Sequence, residues 1–214
     1  MSKNSNISNS VIRRLPRYYR FLGELADQGI LKISSRELSE RMRLTASQIR
    51  QDLNCFGGFG QQGYGYNVVE LRREIGKILG VDKCRKTILI GAGNLGTAIA
   101  MHIDFKKSGF SLIGIFDSNK KIENQPLANL KIADISYLEQ FCKKNQPEVA
   151  VLCIPKYATK EIVDRLIALN VRCFWNFTHY DINVDYTDIV VENVHLGDSL
   201  LTLSYGENNL PKQD

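Results

Sequence analysis

Two clusters of residues in this 214-residue chain have types and spacings that could do chemistry, and they lie far apart. The first is Gly91-Ala92-Gly93-Asn94-Leu95-Gly96, directly after the apolar run Thr87-Ile88-Leu89-Ile90 and before Ala98 and Ile99. If that run is a strand turning into a helix, the first glycine permits the turn and the second lets a pyrophosphate approach the backbone. The third lets helix and strand pack closely, and the unsatisfied N–H groups at the helix start receive the phosphate charge. Asp117 stands 21 positions beyond Gly96, at the end of the apolar run 110–116, and could accept hydrogen bonds from an adenosine ribose diol. A carboxylate there repels a 2′-phosphate, so the pattern favours NAD+ and NADH over their phosphorylated relatives. Lys120 and Lys121 could reach a phosphate or simply face water. A glycine triplet alone is a weak signal; its flanking strand and helix give it weight.

The second cluster is Thr45-Ala46-Ser47-Gln48-Ile49-Arg50-Gln51-Asp52-Leu53-Asn54. Ile49 and Leu53, four apart, point one way on a helix, and Ser47, Gln48, Arg50, Gln51 and Asn54 occupy the other face. Arginine pairs bidentately with guanine, and glutamine and asparagine pair with adenine; Thr45 and Ser47 suit a phosphate or a base edge. Double-stranded DNA is the matching partner. Asp52 is an awkward neighbour for a phosphate but could orient an arginine. Arg13, Arg14, Arg17, Arg20, Arg41 and Arg43 are available for the duplex backbone. Downstream, Phe56-Gly57-Gly58-Phe59-Gly60-Gln61-Gln62-Gly63-Tyr64-Gly65-Tyr66 reads as a tight aromatic hairpin whose Gln61-Gln62 tip suits a narrow groove.

Charge divides the same way. Residues 1–80 hold 13 Lys/Arg against 7 Asp/Glu, a net of +6, and the other 134 hold 15 against 16, a net of −1. The basicity therefore belongs to the part that would meet a polyanion. Cys55, Cys84, Cys142, Cys153 and Cys173 show neither pairing nor ligand spacing, which favours reduced thiols over disulfides and implies no metal. No signal-peptide core and no long apolar run is present, so a cytoplasmic protein without a membrane partner is expected.

These clusters need elements to hold them. Apolar recurrence from Val11 to Ala26 gives a long first helix ending at Gly29. Ser34-x-x-Glu37 fits a capping box before Leu38 and Met42, and a break at Arg43-Leu44 precedes Thr45, which caps a third helix. Two short helices across a tight turn make a helix-turn-helix; with the glycine-rich hairpin and a helix over 67–79, they form a winged helix. Then the rhythm changes: strand 87–90, helix 94–107, strand 110–116, a loop, a short helix near 135–144, strand 149–154 stopped by Pro155, helix 157–169 and strand 171–177. Alternating strands and helices imply a mostly parallel sheet. The fold class is α/β: a winged helix-turn-helix domain over 1–82, a Rossmann-type dinucleotide domain over 83–195, and a C-terminal helix and tail over 196–214.

Two other readings stay open on the residues alone. A dehydrogenase would need a proton donor beside the nicotinamide, and the chain offers only His102, His179 and His195, with little room for a substrate domain. A nucleotide-binding scaffold would bind no operator.

The ordered motifs Val11-Ile12-Arg13-Arg14-Leu15-Pro16-Arg17-Tyr18-Tyr19-Arg20, Ile33-Ser34-Ser35-Arg36-Glu37-Leu38, residues 45–52, the glycine-aromatic segment and Gly91-Ala92-Gly93-Asn94-Leu95-Gly96 resemble the Rex family of redox-sensing transcriptional repressors over about residues 11–205. The resemblance implies a non-enzymatic homodimer around an exchanged C-terminal helix, here 196–205. Its winged helices would hold a palindromic operator in the NAD+-bound or empty state, and NADH would release it. By position, Arg20 matches the first-helix arginine that couples the two domains, and His195 falls where many relatives carry the aspartate that pairs with it. His102 falls where a tyrosine near the nicotinamide is common. Asn176-Phe177-Thr178 resembles the family's Asn-Phe-Ala, with His179 at a usual proline; Pro155, Asn176 and Phe177 join the expected cofactor contacts. A histidine at 195 removes the carboxylate attraction, which makes Asp198 a candidate for the latch.

Overall fold

A computed structural model describes residues 7–57 and 65–208. The chain divides into two compact units between Asp82 and Lys83.

In the first unit, α1 (Asn9–Asp27) buries Val11, Leu15, Tyr18, Leu22 and Leu25, a stripe at three- and four-residue steps. Ser34 opens α2 (Ser35–Met42) with the complete capping box: its hydroxyl accepts from Glu37 N at 3.1 Å, and Glu37 Oε2 accepts from Ser34 N at 2.8 Å. Arg43 adopts the left-handed conformation at the end of α2 (φ 52°) and turns the chain into α3 (Ala46–Asn54), whose N-cap Thr45 accepts from Gln48 N. Strand β1 (Lys32–Ile33) pairs antiparallel with β2 (Tyr66–Asn67), and Asn67 then caps α4 (Val68–Leu79), which ends at left-handed Gly80. Leu15, Tyr18, Leu22, Leu38, Ile49, Leu53, Leu71 and Ile75 share one core. The order helix, strand, helix, helix, strand, helix is that of a winged helix. The expected hairpin tip, with Gln61 and Gln62, lies outside the described residues.

The second unit is a seven-stranded sheet built from β3 (Arg85–Ile90), β4 (Phe110–Asp117), β5 (Pro126–Leu127), β6 (Leu130–Asp134), β7 (Val149–Leu152), β8 (Cys173–Asn176) and β9 (Val190–Asn193). Its spatial order is β5-β6-β4-β3-β7-β8-β9, with every pairing parallel except β5 to β6. Counting only the parallel strands, the order is 3-2-1-4-5-6, the doubly wound Rossmann arrangement with its reversal between β3 and β7. Central β3 is buried on both faces. Ile88 and Ile90 pack toward α6 (Leu138–Asn145) and α7 (Lys156–Ala168), and Leu89 packs toward α5 (Asn94–His102).

In the second unit the sequence reading differs from the structure most at three elements. The helix expected over 94–107 stops at His102: Ile103 is extended, a separate 3-10 turn (Lys106–Ser108) follows with Asp104 Oδ1 accepting from Lys107 N, and Gly109 closes it in the left-handed region. The segment read as a loop after Asp117 contains β6, which pairs with β4 from Ile115↔Ile132 to Asp117↔Asp134. A short α8 (Ile182–Asp185), not expected, joins β8 to β9. The chain's last described helix is α9 (Leu196–Asn208).

Candidate nucleotide site and nucleic-acid interface

The switch point between β3 and β7 is where Gly91-Ala92-Gly93-Asn94-Leu95-Gly96 turns from strand to helix. Gly91 has φ +97°, and a Cβ on it would lie 2.4 Å from Cys153 O, so the turn threads between β3 and the end of β7. A Cβ on Gly96 would come within 1.8 Å of Gly91 O, which fixes how closely α5 sits on the strand. Gly93 is the opposite case: a Cβ there would meet no atom within 4 Å. The three glycines thus serve turn, open approach and close packing in that order. Helix α5 starts after Gly93 without a side-chain cap, and Thr97 N donates to Gly93 O to close its first turn. The N–H groups of its first turn are left for an incoming anion.

Beside this turn lies a cleft of about 610 Å³ lined by Ala92, Gly93, Asn94, His102 and Asp117. Thr97, Ala98, Met101, Asn119 and Ile122 complete its wall, none of them singled out from sequence. Asp117 is held rigidly: Oδ2 accepts from Ala92 N at 2.6 Å and Oδ1 from Asn119 N at 2.7 Å. Each carboxylate oxygen keeps lone-pair capacity for a ribose hydroxyl. An open glycine approach, a bare helix start and a fixed carboxylate are the donor and acceptor set that a dinucleotide requires, so the residues present fit that cofactor.

The remaining expected cofactor residues are distributed differently. Leu95 is exposed on the first turn of α5. Pro155 precedes α7, and Phe177 packs edge-on against Trp175; neither lines the cleft. Asn176 is turned inward and fully buried: its Nδ2 donates to Tyr180 O and Asn193 Oδ1, and its Oδ1 accepts from Thr178 N and Oγ1. Through these bonds Asn176 ties β8 to β9. His102 shares the cleft with Asp117, at the far end of α5 from the glycine turn.

The candidate DNA face lies on α3. Thr45, Ser47, Arg50, Gln51 and Asn54 are exposed, and Arg50 Nη1 donates to Ser35 Oγ at 3.0 Å, bracing it from α2. Arg14, Arg17 and Gln48 are more enclosed. Arg17 Nη2 donates to Met42 O. Arg14 forms a two-pronged pair with Asp52, and Gln48 Nε2 donates to the same carboxylate. Asp52 is fully buried, and it orients an arginine, Arg14, as its residue type allowed. Burial alone would push its carboxyl up, but the donors Arg14, Gln48 and Tyr18 outweigh burial and hold it below the usual aspartate range. Burial and the bond to Asp52 push the Tyr18 phenol well up.

Of the switch residues, Arg20 is exposed on α1 and Asp198 is exposed on the first turn of α9. His195 stacks on His179, rings 5.9 Å apart, with Nε2 3.5 Å from Asp181 Oδ1. Among the described residues no group of three His, Cys, Asp or Glu could hold a metal ion, and no helix is long and apolar enough to cross a membrane.

Comparison with known proteins follows the same division. A family described as putative DNA-binding protein N-terminus matches residues 6–54, and one described as CoA binding domain matches residues 82–180. The redox-sensing transcriptional repressor Rex of Thermoanaerobacter pseudethanolicus is 53% identical over 208 residues, covering 97% of this chain and 92% of its own. The protein of the same name from Clostridioides difficile is 51% identical, over 96% of this chain and 97% of its own. A crystal structure of RSP in complex with beta-NAD+ and operator DNA superposes with TM-score 0.89 at 52% identity, covering 96% of this chain and 94% of that one. RSP in complex with beta-NADH gives 0.87 at 49% identity, covering 96% of both chains. Half the residues are shared along nearly the full length of both domains, and so the chain belongs to the Rex family of redox-sensing transcriptional repressors.

Proposed function

We propose that this chain is a homodimeric repressor that binds a palindromic operator when its nucleotide sites are empty or hold NAD+, and releases it when they hold NADH. The observation that carries this reading is one fold pairing a winged helix with a fitted dinucleotide cleft, matched over both units by RSP, which has been solved with beta-NAD+ and operator DNA and separately with beta-NADH. The glycine turn and α5 take the pyrophosphate, Asp117 takes the adenosine ribose, and His102 contributes to the cleft wall. Pro155 and Phe177 border the nicotinamide half. The exposed Thr45, Ser47, Arg50, Gln51 and Asn54 read the duplex, with Gln61 and Gln62 at the wing.

The adenosine half is common to both redox states and supplies affinity. Information must come from the ring, which differs in charge and planarity, and a ligand moves a two-state dimer only by its unequal affinity for the two states: a hundredfold difference is worth about 2.7 kcal/mol. Arg20 is the arm of the DNA-binding unit that responds, with His195 and Asp198 as its counterparts. Because position 195 is a histidine, which stacks on His179 and lies beside Asp181, Asp198 is the candidate carboxylate for the latch with Arg20.

The test is operator binding by purified protein at fixed salt with no cofactor, with NAD+ and with NADH. Release by NADH alone is expected; equal binding in all three conditions refutes the sensor.

A further inference from the structure

Asp52 belongs to the helix that faces DNA, yet its side chain is 0% exposed and gathers four hydrogen bonds. Oδ2 accepts from Arg14 Nε at 2.6 Å and Tyr18 Oη at 2.8 Å. Oδ1 accepts from Arg14 Nη2 and Gln48 Nε2, each at 2.8 Å. Packing does not require this carboxylate, because Ile49 and Leu53 already seat α3 in the core. A buried carboxylate with a full set of donors is costly to assemble and is a weak source of net stability, so a role in positioning is the more economical account.

The identity of its partners gives that role. Arg14 and Gln48 are two of the residues whose chemistry suits DNA, and the same carboxylate holds both. A guanidinium already bonded bidentately to a carboxylate, and only 25% exposed, has little charge left to offer a phosphate. Reading adenine takes one N–H and the carbonyl of a glutamine amide, and the bond from Gln48 Nε2 to Asp52 fixes the direction in which Gln48 can present its other N–H and its Oε1.

We infer that Asp52 is a specificity-determining positioning residue: it withholds Arg14 from the phosphates and fixes Gln48, so that the duplex is met by Ser47, Arg50, Gln51 and Asn54, and sequence-independent affinity stays low. The inference rests on the operator-binding reading above. Its test on random DNA is independent of that reading.

The experiment uses the full chain and two duplexes of equal length, one selected from a random library by the wild-type protein and one of random sequence, each titrated across a salt series without nucleotide. Asp52→Asn keeps the shape and removes the charge. It should tighten binding to the random duplex several-fold and steepen its log–log salt dependence by about 0.9, the value of one added phosphate contact. Its preference for the selected duplex should fall about tenfold. Adding Arg14→Gln to Asp52→Asn should restore the wild-type slope. Arg14→Gln in the wild-type background provides a check that does not depend on Asp52→Asn folding: because the withheld arginine touches no phosphate, the random-duplex slope should not change. A melting temperature lowered in Asp52→Asn with slope and preference both at wild-type values would make Asp52 a structural anchor only and overturn the proposal, as would a shallower slope in Arg14→Gln alone. If the wild-type protein selects no duplex, the operator reading fails, while the random-duplex slopes still decide the role of Asp52.

Discussion

Alanine should do opposite things at Gly93 and Gly96. At Gly93 the added methyl meets nothing within 4 Å and φ is an ordinary −70°, so Gly93→Ala should leave thermal stability intact while placing carbon where the pyrophosphate must approach. NADH binding should weaken about tenfold or more, roughly 1.4 kcal/mol. At Gly96 the methyl would lie 1.8 Å from Gly91 O, so α5 must move off the strand. Overpacking of this kind costs about 1–3 kcal/mol, and Gly96→Ala should melt earlier even without nucleotide. Thermal melts combined with NADH titrations separate the two. Asp117 makes a further residue-scale prediction. Asp117→Ala removes an ionic acceptor worth about 1.5–3 kcal/mol and also frees Ala92 N, so NADH affinity should drop; NADPH affinity should drop less, since a repelling charge leaves with the acceptor. Parallel titrations with the two nucleotides check this through their affinity ratio.

Among the elements, the pairing of α1 with α3 through Asp52 has a pH signature. The folded-state carboxyl is held below the usual aspartate value, so on acidification the unfolded chain takes up its proton first. The stabilisation is complete above about pH 4 and is lost as pH falls through the lower folded value. The melting-temperature gap between wild type and Asp52→Asn should therefore be widest near neutrality and narrow steadily toward about pH 3. A constant gap across that range would refute the assignment. Elements with a strong local signal were legible in the sequence: the Ser34-Glu37 capping box, the Thr45 cap, and the strand, glycine turn and helix around Gly91 all depend on residues close in the chain. What escaped depends on distant partners. Five-residue β6 offers only Leu130 and Ile132 in alternation and becomes a strand by lying against β4. Asp52 is legible as able to orient an arginine, but that the arginine is Arg14, 38 residues earlier, depends on the fold, as does the bond from Asn176 to Asn193. Ile103 and Phe105 prolong an apolar pattern beyond the true end of α5 at His102, where Asp104 Oδ1 instead accepts from Lys107 N in the next turn.

On the scale of the whole molecule, the most conspicuous feature is the outer surface of α9. Leu196, Leu200 and Leu203 fall on one stripe, and all three, with Leu201 and Tyr205, are more than half exposed in the single chain. The proposed homodimer gives that stripe a place to go. Leu200→Glu combined with Leu203→Glu should shift the protein toward monomer in sedimentation analysis. It should also weaken operator binding by far more than it weakens NADH binding, because the cleft by Asp117 contains no residue of α9. Unchanged dimerisation would remove α9 from the interface. The greasy stripe also bears on supply inside a cell. Freshly synthesised copies would be sticky until they meet, and the stock of competent regulator would grow with the square of synthesis when copies are scarce.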